Sequence, residues 1–211
     1  MDPKYDQQPL DSQQEPQEEK TVEKSSDDLF YWLNALTTAL VVLVLVFTFF
    51  GRLTRVDGHS MDNTLQHNQL LLVWSLGYTP QQGDIVVVNK TTVQHLGGSA
   101  IVKRVIAVGG QTVDIDYATS SVYVDGELLD EPYIKEPMFD RLGAQGSTHI
   151  EVPEGSIFVM GDNRNDSDDS RDSALGPVDT RQILGRAVFL LFPGVTADTD
   201  KRDFGRIGPL T

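Results

Sequence analysis

Two side chains have settings that suggest a reaction, Ser60 and Lys103. Ser60 lies in Val56-Asp57-Gly58-His59-Ser60-Met61-Asp62-Asn63-Thr64-Leu65, shortly after a long apolar segment. Lys103 interrupts the apolar run Ala100-Ile101-Val102-Lys103-Arg104-Val105-Ile106-Ala107-Val108. The pleat of a strand predicts Ile101, Lys103, Val105 and Ala107 on one face, so the amine points where apolar side chains point. Desolvation there favours the uncharged amine. A neutral amine is a base: it can take the hydroxyl proton as a serine attacks a carbonyl and later return it to the leaving amine. No histidine is then required. His59 adjoins Ser60, but neighbouring side chains of an extended segment point to opposite faces, so His59 is expected to be dispensable. On pattern alone Lys103 has two other fates, reaching out to a sheet edge or pairing with an aspartate.

A third cluster of chemistry-bearing residues is the run Met160-Gly161-Asp162-Asn163-Arg164-Asn165-Asp166-Ser167-Asp168-Asp169-Ser170-Arg171-Asp172-Ser173. Calcium is the obvious ligand for so many carboxylates, but a calcium loop needs glycine at its sixth position and an acidic residue at its twelfth. Counted from Asp162 these are Ser167 and Ser173, and counted from Asp166 they are Arg171 and Pro177. Both counts fail. Arg164 and Arg171 instead suggest a loop paired within itself that buttresses a neighbour. The residue set calls for no metal and no cofactor.

These residues need a scaffold, and the rest of the chain predicts one. Leu29 to Phe50 carries no charge, and at about 1.5 Å per residue a helix of that length crosses a bilayer. Tyr31 and Trp32 suit an interface at its start. The segment is too long for a cleaved signal and no small-residue site follows it, so a retained anchor is expected. Residues 1–28 hold nine acidic and three basic side chains with Pro3, Pro9 and Pro16, and read as a disordered tail. Lys20 and Lys24 before the span balance Arg52 and Arg55 after it, so charge leaves the orientation open. From Gly51 the pattern is one of short strands: Leu70–Trp74, Ile85–Val88, the Lys103 run, Thr112–Ile115, Val122–Val124, Glu127–Leu129 after an Asp125-Gly126 hairpin turn, Ile157–Met160 and Ala187–Phe192. No long amphipathic helix alternates with them. The fold class is therefore mostly β, an antiparallel barrel or pair of packed sheets behind one transmembrane helix, with a turn-rich surface excursion over about 133–147. A net charge of −14, from 31 acidic and 17 basic residues, argues against a nucleic-acid partner. Cysteine is absent, which removes disulfides and thiol chemistry.

Taken together, the segments resemble the type I signal peptidases (leader peptidases) of bacteria. That family has a Ser-Met-x-Pro-Thr-Leu box, here Ser60-Met61-Asp62-Asn63-Thr64-Leu65, and a Gly-Asp-Ile/Val-Val box, here Gly83-Asp84-Ile85-Val86. Its Lys-Arg-Val-Ile-Gly-x-Pro-Gly-Asp box appears as Lys103-Arg104-Val105-Ile106-Ala107-Val108-Gly109-Gly110-Gln111. Its Gly-Asp-Asn-Arg-x-x-Ser-x-Asp-Ser-Arg box matches Gly161 to Arg171 at every specified position, and a Gly-Arg-Ala motif appears as Gly185-Arg186-Ala187. Asn63 departs from the family's proline, and Gly109 and Gln111 from its proline and aspartate. The first change loosens the turn after Ser60; the others put the corner after Lys103 and its polar contact in question.

The resemblance implies Ser60 as nucleophile and Lys103 as general base, Ser167 as the serine that orients the lysine, and Asp169 with Arg171 as a supporting ion pair. It implies an oxyanion site at the backbone N–H of Ser60. Some members add a serine hydroxyl two positions earlier, where this chain has Gly58. Met61 would line the floor of the substrate cleft. Such an enzyme removes signal peptides from secretory preproteins, after small residues at the first and third positions before the cut, at the bilayer surface. By the resemblance the tail is cytoplasmic and the β domain lies outside a single-pass anchor in the cell membrane. Two readings compete: a self-cleaving repressor with the same dyad, which would carry a DNA-binding domain in place of the tail and span, and a catalytically silent anchored scaffold.

Overall fold

Between Pro16 and Gly51 the sequence contains no glycine or proline, and one helix, α1 (Gln17–Phe49), fills that interval. The computed structural model describes residues 17–49, 51–89, 100–140, 143, 148–195 and 201–210. Its stretch from Asp28 to Val46 has a mean hydropathy of 2.2 and is long and apolar enough to cross a membrane. Thr37 Oγ1 donates to the Leu33 carbonyl at 2.8 Å, which satisfies a hydroxyl within the apolar stretch. The helix starts at Gln17 rather than Leu29, so residues 17–28 are helical where coil is expected. The physical reason is local: Gln, Glu and Lys are strong helix formers, and extending an existing helix avoids the cost of nucleation. Residues 1–16 of the expected tail, and Gly97-Gly98, lie outside the described residues.

The β-rich unit, from Val46 onward, contains twelve strands among the described residues. They are β1 (Gly51–Arg55), β2 (Leu70–Trp74), β3 (Ile85–Val88), β4 (Ile101–Val108), β5 (Thr112–Asp116), β6 (Ser121–Val124), β7 (Glu127–Leu128), β8 (His149–Glu151), β9 (Ser156–Met160), β10 (Val178–Asp179), β11 (Ile183–Phe192) and β12 (Gly208–Pro209). All pair antiparallel. One sheet runs β1-β2-β11-β3-β4-β9-β10, with β12 added to β11; the other runs β7-β6-β5-β8. Of the strands unmarked by the apolar pattern, β8, β10 and β12 are short, with 3, 2 and 2 residues, and β1 (Gly-Arg-Leu-Thr-Arg) carries a single large apolar side chain. At the β6–β7 hairpin both Asp125 (φ 53°) and Gly126 (φ 80°) adopt the left-handed conformation that this tight turn requires.

The sheets share a core in which Ile106, Ala107, Phe158 and Met160 of the large sheet pack against Val113, Ile115, Val122, Val124 and Ile150 of the small one. β4 sits centrally, between β3 and β9, and is buried on both faces. Its register against β9 slips between Val105 and Ala107. The slip ends the simple alternation: Val105 joins one apolar cluster while Ile106 and Ala107 both join the inter-sheet core, so Ala107 does not share the face of Ile101 and Lys103. The described part of the segment over 133–147 holds no strand and is mostly exposed, as a surface excursion would be. Met138, 3 % exposed, is its one described residue that joins the inter-sheet core.

At Gly185 of β11 φ is 149°, and a Cβ there would collide with the Trp74 carbonyl oxygen of β2. Replacing Gly185 with alanine is expected to lower stability by about 2–4 kcal/mol, read from urea unfolding of the β domain.

Candidate active site

Ser60 rides on a loop clamped at its neck. Val56 N–H donates to Gln69 O and Asn68 N–H to Val56 O, both at 2.9 Å, extending the β1–β2 ladder to the loop's base. Met61 and Leu65, 1 % and 0 % exposed, drop into the core beneath, and Leu65 N–H closes a turn on Met61 O at 2.7 Å. Met61, expected in the cleft floor, is thus a core residue packed with Val56, Leu65 and Leu71. Asn163 holds the loop from the side, its N–H donating to Ser60 O and its Nδ2 to His59 O, each at 3.0 Å. Gly161 permits this approach, since a Cβ there would collide with both Ser60 O and Ser167 Oγ.

Lys103 faces Val86 across the β3–β4 ladder and is 3 % exposed. Its Nζ stands 2.6 Å from Ser60 Oγ. Burial pulls its pKa below the ordinary lysine value; the charges of Asp169, Asp168 and Asp162 oppose that shift, Arg171 reinforces it, and desolvation wins. Lying buried in a central strand, the lysine does not reach out to a sheet edge, and its amine meets the Ser60 hydroxyl. The pair opens on a cleft bordered by Asp57, Gly58, Ile101 and Asp168. His59 is half-exposed and turned to Asp62, 3.2 Å away.

The acidic loop buries its charges in pairs. Asp169 accepts from Arg171 Nε at 2.8 Å and Nη2 at 2.9 Å and from Gly161 N–H at 3.0 Å. Burial would raise the Asp169 pKa, but the Arg171 charge and these hydrogen bonds, with the Ser167 hydroxyl contributing, hold it below the usual carboxylate range. Asp162 takes both Nε and Nη2 of Arg104 at 2.9 and 2.8 Å, and Arg104 Nη1 donates to Gly83 O at 2.8 Å. Arg164 forms a two-pronged pair with Glu131 and donates Nε to Gly161 O. Asp84 in turn meets Arg186 Nε at 3.1 Å and accepts from Tyr78 OH at 2.7 Å. Sequence reasoning brought out Asp169 and Arg171 but missed Arg104, Asp162, Glu131 and Asn163. Arg104 carried the available signal, a second cation in the strand that makes Lys103 conspicuous. The corner after Lys103 keeps its polar contact despite the Gln111 departure: Gln111 Oε1 accepts Val108 N–H at 3.0 Å and its Nε2 donates to Asp125 at 2.9 Å. Among the described residues no group of three or more His, Asp or Glu is arranged to hold a metal ion.

Residues 29–192 match the family described as "Signal peptidase, peptidase S26". The chain is 38% identical to "Probable signal peptidase I-1" of Synechocystis over 75% of its own length and 80% of the relative's. It is 34% identical to "Signal peptidase I" of Bacillus licheniformis over 83% of its length and 95% of the relative's, and 34% identical to "Signal peptidase I S" of Bacillus subtilis over 77% and 88%.

Removing one partner of a buried ion pair strands the other. An Asp162→Ala variant, leaving Arg104 unpaired, is expected to lose about 3–5 kcal/mol in denaturant unfolding, and Arg104→Met added to Asp162→Leu to recover most of it.

Proposed function

Because the chain belongs to the signal peptidase family, peptidase S26, we propose that Ser60 is the nucleophile and Lys103 the general base of its activity. The activity itself is that of a membrane-anchored serine endopeptidase which removes N-terminal signal peptides from secretory preproteins. The observation that carries the assignment is the 2.6 Å approach of a buried amine to the Ser60 hydroxyl.

In the neutral state Lys103 accepts the hydroxyl proton as Ser60 Oγ bonds to the scissile carbonyl carbon. The resulting oxyanion is stabilised by the Ser60 backbone N–H, and the Lys103 ammonium then gives its proton to the departing amine of the mature protein. The signal peptide stays as an ester on Ser60 until Lys103 deprotonates a water that hydrolyses it. Ser167 orients the amine, and the Asp169–Arg171 pair keeps the loop that carries Ser167 against the nucleophile. Gly58, at φ 93° with open space where a Cβ would stand, leaves the cleft wall beside Ser60 bare. The substrate lies extended along the sheet, with small residues at −1 and −3, because a shallow cleft beside a buried dyad admits little bulk. Residues 29–50 anchor the enzyme in the bilayer, residues 1–28 form a cytoplasmic tail, helical from Gln17, and residues 51–211 work on the outer surface, where signal peptides emerge.

Ser60→Ala, Lys103→Ala and Lys103→Arg are each expected to lower preprotein cleavage in detergent by orders of magnitude while far-UV circular dichroism stays unchanged, arginine failing because it keeps its proton. Full activity in Lys103→Ala sinks the dyad. The reactive form is the uncharged amine, so activity should rise with pH through an inflection below the ordinary lysine value of about 10.4 and fall as pH drops through it. His59→Ala should keep both the rate and that profile; an inflection that moves or vanishes with His59 would assign the base to the imidazole.

A further inference from the structure

The segment from Lys201 to Leu210 lies beyond the residues that match the family, yet one of its side chains reaches the nucleophile loop. Arg206 Nη2 donates to the Asn63 carbonyl at 2.9 Å and to the Thr64 carbonyl at 2.6 Å. These carbonyls lie in the turn that Leu65 N–H closes on Met61 O, directly after Ser60. A guanidinium donating to two backbone carbonyls makes charge-assisted hydrogen bonds, stronger than neutral ones, that tie the turn down. We propose that Arg206 is a positioning residue that fixes the turn behind Ser60 and so holds the Ser60 hydroxyl on the Lys103 amine. The inference rests on Ser60 and Lys103 being the reacting pair.

The base of Arg206 is itself fixed. Asp203 Oδ1 accepts Gly205 N–H at 2.9 Å and starts the short 3-10 turn Phe204–Arg206. Before it, Arg202 stacks 4.8 Å from the Phe192 ring centre, and Phe204 meets the same ring edge-on at 5.8 Å. After it, β12 pairs with Phe189 and Leu190 of β11, and Leu210 packs against the core cluster that contains Met61 and Leu65. The segment is therefore a strap tied to β11 on both sides of Arg206. The loop needs such a strap because Asn63, exposed and without a ring to restrict φ, stands where the matching motif has proline. Met61 and Leu65 hold the turn from below and Asn163 from the side; Arg206 closes the third direction.

The test is steady-state cleavage of a preprotein by the full chain in detergent. A displacement of about 1 Å at a reacting atom costs on the order of 10²-fold, so Arg206→Ala is expected to lower kcat by about 10- to 100-fold, with KM within about twofold of wild type. Arg206→Lys, which can still donate to both carbonyls, and Asn63→Pro combined with Arg206→Ala are each expected to regain most of the loss. An unchanged kcat in Arg206→Ala, a loss confined to KM, a loss matched by the fall in folded protein seen by circular dichroism, or failure of both rescuing variants overturns the proposal. Ser60→Ala assayed in parallel separates the two levels: an enzyme that ignores Ser60→Ala overturns the dyad, whereas one killed by Ser60→Ala and indifferent to Arg206→Ala overturns only the strap.

Discussion

An amine held out of water beside a hydroxyl is costly, and most of the buried polar structure of this domain exists around that expense. Desolvation lowers the Lys103 pKa against the pull of three aspartates, in a closed setting made by a central strand, the apolar Val86 across the ladder, and an acidic loop folded over one end. Opening any side to water would weaken the desolvation that lowers its pKa.

The loop that closes the site is acidic, which at first runs against keeping a lysine neutral. Pairing resolves this. Asp162 is taken by Arg104 and Asp169 by Arg171, so two of the three carboxylates that act on the amine are paired with guanidinium groups. The pairs also satisfy backbone groups: Arg171 reaches Arg164 O, Arg164 reaches Gly161 O, and Arg104 reaches Gly83 O. The short motifs scattered along the chain are thus one bonded network, in which Gly83-Asp84, Lys103-Arg104, Gly161–Arg171 and Gly185-Arg186 each hold a neighbour. Its centre is Gly161, where the absence of a side chain lets Ser60 O and Ser167 Oγ approach the same point.

Where the chain departs from its family's motifs, other contacts supply what is missing. Gln111 bridges Val108 N–H and Asp125 at the corner after the lysine strand, and Arg206 braces the turn that contains Asn63. Both substitutes come from residues distant along the chain from the position they serve or from a different chemical type, which is why a motif comparison registers only the loss.

Composition and periodicity by themselves determined the apolar span, the β-rich character, most of the longer strands and the Asp125-Gly126 hairpin, because each depends on local spacing or on backbone conformations open to few residue types. They also singled out Ser60 and Lys103, since a lysine in a run such as Ile101–Val108 is anomalous wherever the strand lies. Only tertiary structure decided the rest. The register slip after Val105 turned Ala107 to another face; packing set Met61 and Met138 in the core; helix continuity carried α1 back to Gln17. The carboxylate that each arginine takes, and the placing of Asn163 and Arg206 on the nucleophile loop, depend on contacts between residues far apart in the chain. Sequence periodicity reports which way a side chain faces along its own element and carries no distance to a residue on another, and it is distance that makes a serine, an amine and their supports into one site.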